Sequence, residues 1–184
     1  MTTKTDFATE EWDALLTGPL SASMYIVIAS PSVFGSIKEI TALSKELVTA
    51  AARPDNTELL RYMLSDYQSK DALKQVTPNV KGKPEEALGA LRSYIEKAVS
   101  LLNEKATDEE SAQIRQWMYD LAVKTAEASK EGGFLGMGAV RVSDAEKKAL
   151  VELAGILGVE VADVAADEVS ASAEEASGED ATVA

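Results

Sequence analysis

The sequence predicts an all-α single domain, a bundle of six or seven helices with a Gly-rich loop before the last one. Three observations predict it. Apolar residues recur at spacings of three and four along most of the chain, the period of a helix face. Two capping pairs, Thr107 with Glu110 and Ser143 with Glu146, mark helix starts ahead of apolar runs. The run Tyr25 to Ile28 is rich in strand formers, but no second strand is evident to pair with it.

Residues 1–8 are expected to fray. Thr9 caps a first helix with Glu10 and Glu11 in its opening turn, where the positive end of the helix dipole favours them. Trp12, Leu15 and Leu16 give it an apolar face. Gly18-Pro19 reads as its stop, with Pro19 opening a second, buried helix to about Ala29. Ser30-Pro31-Ser32 starts a third, to about Ala52, with Val33, Ile37, Ile40, Ser44, Leu47 and Ala51 on one face. Its Lys38, Glu39, Lys45 and Glu46 read as the solvated face. A fourth begins near Asn56 or Thr57, carries the stripe Leu59, Leu60, Met63, Leu64 and Tyr67, and continues to Val76 with a break near Ser69.

Residues 77–84, with two prolines and a glycine, form the clearest loop. Pro84 opens a fifth helix whose Leu88, Leu91, Ile95, Ala98 and Leu102 make a seam for lengthwise packing, within the bundle or against a second copy. The sixth has Ile114, Trp117, Met118, Leu121, Ala122 and Thr125 on its core face and stops at Gly132-Gly133. The seventh buries Ala149, Leu150, Leu153, Ala154 and Leu157 and is capped by Gly158. The domain so defined is 9–159. From Glu160 to Ala184 there are eight acidic residues, no Lys or Arg and no aromatics, so 160–184 reads as a disordered acidic tail.

Composition excludes several chemistries. The 184 residues contain no cysteine and no histidine. That removes disulfides, thiolate nucleophiles, thiolate zinc sites and Ser-His-Asp arrangements. A metal site would have to use carboxylates, carbonyls and hydroxyls, which suits calcium, magnesium or manganese. The net charge is −13, and without the tail 23 acids face 18 bases. No Lys/Arg stripe is present, so nucleic-acid binding is disfavoured. The N-terminus lacks the apolar run of a signal peptide, and Met24 to Ala29 is too short for a membrane span. The expectation is a cytoplasmic protein.

The candidate site is the stretch Gly132, Gly133, Phe134, Leu135, Gly136, Met137 and Gly138, with Arg141 beside it. Its backbone N–H groups could face an anion, with a helix N-terminus following at Ser143. It matches neither phosphate-loop pattern, and no lysine lies inside it. The plainer reading is a clasp tucking Phe134, Leu135 and Met137 into a groove; a partner-docking loop and a ligand site are the alternatives. Asp66 stands at the edge of an apolar stripe near Tyr62, Tyr67 and Lys70, either a ligand or acid, or the partner of a lysine or a backbone donor. The acids at helix starts, Glu10, Glu11, Asp13 and Asp108 to Glu110, fit the helix dipole without any metal. The small residues Ser21, Ala22, Ser23, Ser30, Ser32, Gly35 and Ser36 allow tight packing or an apolar cavity.

Val140 to Val159, with its Ser-Asp-Ala-Glu helix start and Leu-x-x-Leu-Ala pattern ending in Leu-Gly, resembles the closing segment of TerB-like domains, the tellurite-resistance-associated helical family. The resemblance implies a cytoplasmic stress-associated module, with carboxylates for a divalent cation. No paired acidic ligands show at a recognisable spacing in the first half, so no metal ligand is carried over. The expectation is a non-enzymatic interaction or stress-response module without a cofactor, acting on a protein partner or by self-association. The alternative is a small-ligand or divalent-cation binding protein.

Overall fold

The structure is a computed structural model that describes residues 1–30, 46–47, 49–128 and 142–166. Among them are six α-helices, α1 Thr9–Ala29, α2 Glu58–Asp66, α3 Lys70–Val76, α4 Pro84–Lys105, α5 Asp108–Ala128 and α6 Asp144–Leu157. Single 3-10 turns lie at Lys4–Asp6 and Asp163–Ala165, and further helical residues end at Ala51. No strand occurs among the described residues, and the chain is all-α.

α1 is the centre of the bundle, packed against α3, α4, α5 and α6. Leu15, Leu16, Leu20 and Ile26 are among its buried residues, and each such side chain contributes about 1.5–3 kcal/mol by leaving water. Gly18-Pro19, expected to stop one helix and open another, lies inside this single helix. Proline has no N–H to return to the carbonyl four residues back, which normally breaks a helix. Here tertiary packing overrides that preference. Gly18 through Ser23 are all buried, and a Cβ on Gly18 would come within 2.5 Å of Ala98 Cβ on α4. The glycine lets two backbones approach, and Ser21 returns its hydroxyl to the Thr17 carbonyl at 2.8 Å. Ser21, Ala22, Ser23 and Ser30 are thus packing residues.

By length and composition α1 is long and apolar enough to cross a membrane, while 61% of its most apolar stretch is buried inside the bundle. The α4 seam is also internal. Leu91, Ile95, Ala98 and Leu102 are buried and belong to the core, so that face is not available to a second copy.

Local signals place the remaining ends. Thr107 N–H donates to Glu110 Oε2 at 3.0 Å, and Glu110 N–H to Thr107 Oγ1 at 3.3 Å. Ser143 and Glu146 repeat the box at 2.8 and 3.4 Å. Gly158 closes α6 at φ 66°, the left-handed geometry that glycine adopts without strain. Ser69 caps α3, separating it from α2.

Residues 2–7 and 161–165 are packed where looseness is expected, and 167–184 of the expected tail lie outside the described residues. Thr2 is buried, its N–H on Glu110 Oε1 at 2.9 Å and its hydroxyl on Glu110 Oε2 at 2.7 Å. Phe7 is buried against Trp12, ring centroids 5.6 Å apart. After α6, Val161, Ala162 and Val164 pack on the core, Ala165 is fully buried, and Ala162 N–H donates to the Tyr119 hydroxyl at 3.1 Å. These residues fall in the segment expected to be a tail from Glu160.

Candidate functional site

Gly132, Gly133, Phe134, Leu135, Gly136, Met137, Gly138 and Arg141 lie outside the described residues, as do Ser32, Gly35 and Ser36. The flanks of the glycine stretch are described. α5 ends with Thr125 and Ala126 buried, and Val142 is buried just ahead of the Ser143 cap. The stretch therefore connects two points fixed in the same core.

Asp66 is where the structure adds most. It ends α2 and faces the start of α1. Trp12 Nε1 donates to its Oδ2 at 2.7 Å, and Lys4 Nζ pairs with the same oxygen at 2.7 Å. The sequence puts Lys70 nearest this carboxylate; the lysine that pairs with it is 62 positions away. Lys4 Nζ also stands 5.5 Å from the centre of the Trp12 ring. These groups line a cleft of about 230 Å³ with Phe7, Asp13, Gln75 and Val76. Gln75 Nε2 holds Asp13 Oδ2 at 2.7 Å on its rim. A second tie lies alongside, Lys105 Nζ on Glu11 Oε2 at 2.6 Å and 5.6 Å from the Phe7 ring.

The electrostatics of these groups share one direction. Burial pushes the Asp66 carboxyl up, but the Lys4 and Trp12 hydrogen bonds outweigh it and leave it lowered. Glu110 behaves likewise: burial raises it, and four donors from Thr2 and Thr107 hold it down to about 2. Asp6 is lowered by the Thr3 N–H and hydroxyl, Glu11 by Lys105 and the Ala8 N–H. All four carboxylates sit where residues 2–11 dock. Elsewhere burial raises Tyr25, Tyr67 and Tyr119, the first also through Glu152. Tyr62 is raised by its bond to Glu58, Arg92 by Glu96 and Glu152, and Lys124 by Glu127.

One further polar knot ties three helices. Tyr25 on α1 donates to Glu152 Oε2 on α6 at 2.7 Å, and Arg92 on α4 holds Glu152 Oε1 at 2.5 Å. Two more clefts are open grooves. One, about 400 Å³, runs beside Asn103, Ser111, Arg115 and Gly158, where Arg115 reaches the last carbonyl of α6. The other, about 440 Å³, lies between Glu46, Asp120, Lys124 and Asp163. Among the described residues no three Asp or Glu side chains converge as a metal site requires.

Sequence reasoning finds Asp66 but misses Lys4, Phe7 and Gln75, because their approach is set by how the N-terminal segment and α3 dock. No local spacing carries that. Compared with known protein families, curated proteins and solved structures, the chain matches none.

Proposed function

We propose that this chain is a non-enzymatic helical interaction module of the cytoplasm, acting through a protein partner rather than through nucleic acid or a membrane. One observation carries the reading. The displaced pKa values of Asp6, Glu11, Asp66 and Glu110 move down, and those of Tyr25, Tyr62, Tyr67, Tyr119, Arg92 and Lys124 move up, all away from neutrality. A general acid or base needs the opposite, a pKa drawn toward the working pH. These groups instead fix caps, termini and helix crossings. α1 then serves as the core helix of a soluble bundle. The stress-response side of the proposal rests on the resemblance of residues 140–159 to the TerB-like closing segment.

The stretch Gly132 to Gly138 is the proposed contact, since it carries Phe134, Leu135 and Met137 between two anchored points. Affinity capture with the full chain and with a variant shortened across 132–138 tests this. Loss of specific partners at unchanged melting temperature supports it; the same partners with the fold intact would sink it. Calorimetric titration with calcium, magnesium and manganese tests the cation alternative. A specific site raises the melting temperature by binding linkage, and no shift at millimolar metal ends that alternative.

A further inference from the structure

The walls of the N-terminal cleft hold one another through contacts that do not involve Lys4. Trp12 and Asp66 hold each other through the indole N–H at 2.7 Å. Phe7 lies against Trp12, and Gln75 fixes Asp13 on the rim. The result is an aromatic face beside one carboxylate, with a second at the rim. That combination recognises an ammonium group on an alkyl stem: the carboxylate accepts its N–H bonds and the ring face attracts its charge. Lys4 supplies such a group from the same chain, 2.7 Å from Asp66 and 5.5 Å from the Trp12 centroid.

Two observations make Lys4 a displaceable occupant. Its side chain is 50% exposed, and exposed ion pairs hold weakly. Its backbone is held by other contacts, Thr2 on Glu110 and buried Phe7, so the side chain can swing out while the segment stays docked. We propose that this cleft is a binding site for an alkylammonium group and that Lys4 fills it in cis as an internal competitor. About 230 Å³ of open cleft remains beside the Lys4 side chain, too little for a nucleotide. A net charge of −13 draws cations toward the protein. The ammonium can come from a lysine side chain of a partner or from a free amine. The site is distinct from the glycine stretch, and its failure would leave the interaction reading standing.

The test uses the full chain as wild type, Lys4→Ala and Lys4→Gln, following the Trp12 indole N–H by NMR. The probes are n-butylammonium chloride and a terminally blocked Gly-Lys-Gly peptide, each against sodium chloride at matched ionic strength. With Lys4 gone, both probes are expected to bind at least tenfold more tightly than to wild type. Adding Asp66→Asn should remove that gain. Tighter binding of the peptide marks a partner lysine as the source, and tighter binding of butylammonium marks a free amine. No saturable shift in either Lys4 variant overturns the proposal. So does equal affinity in wild type and variants, or binding that survives Asp66→Asn.

Discussion

Gly18 of α1 and Ala98 of α4 meet so closely that a Cβ on Gly18 would lie 2.5 Å from the Ala98 Cβ. A side-chain methyl and the helix behind it would have to move. Gly18→Ala should therefore destabilise the fold by about 1–2 kcal/mol, the overpacking cost less the gain in helix propensity. Gly89, exposed on α4 with nothing within 4 Å of where a methyl would sit, is the control. Gly89→Ala should stabilise by about 0.5–1 kcal/mol. Urea titration of the two variants checks the pair, and equal effects would refute the close crossing.

Glu110 links stability to acid. Its folded pKa of about 2 lies below the ordinary value of 4.5. The unfolded chain thus binds a proton first, and stability present above pH 4.5 is lost as pH falls toward 2. For this buried group the shift corresponds to on the order of 3 kcal/mol. Glu110→Gln should lower stability at pH 7 and flatten the acid limb between those values. An unchanged limb in acid titrations followed by circular dichroism would refute the assignment.

At the alkaline end the sign reverses. Tyr67 is buried, its hydroxyl on the Leu16 carbonyl, and burial raises its pKa. Its contribution is present below the ordinary tyrosine pKa of 10.0 and is lost as pH rises above it. Tyr67→Phe should cost about 1–3 kcal/mol near neutrality, since the buried carbonyl loses a donor, and should weaken the alkaline transition. Ultraviolet phenolate absorbance followed through alkaline unfolding provides the measurement.

Truncation after Val159 removes Val161, Ala162, Val164 and Ala165, all packed on the core. It also strips the Ala162 N–H from the Tyr119 hydroxyl. The expected loss is about 1–3 kcal/mol, against none if the chain were loose from Glu160. Thermal melts of chains ending at 159 and at 166 separate the two outcomes.

The elements legible in the sequence rest on local chemistry. Thr107 with Glu110 and Ser143 with Glu146 lie three residues apart, and Pro84 and Gly158 act on their own backbone. Gly18-Pro19 misleads for the same reason. Its local meaning is a stop, but its role depends on Ala98, 80 positions away. Glu110 reads locally as a first-turn acid and capping partner, which it is, yet Thr2 also binds it across 108 positions. Asp66 is legible as a half-buried, paired carboxylate. Its lysine is not, because Lys70 is near in sequence whereas Lys4 is near in space.

The central place of α1 also sets an order of events during synthesis. This apolar 21-residue helix is made first, while α4 and α5, its main neighbours, begin only at Pro84 and Asp108. At about 5–20 residues per second the ribosome leaves it without them for roughly 3–20 s. For that interval the nascent chain presents a segment that passes for a membrane span by length and composition. The buried serines and Pro19 that look out of place in a core helix lower its hydropathy during that exposed interval.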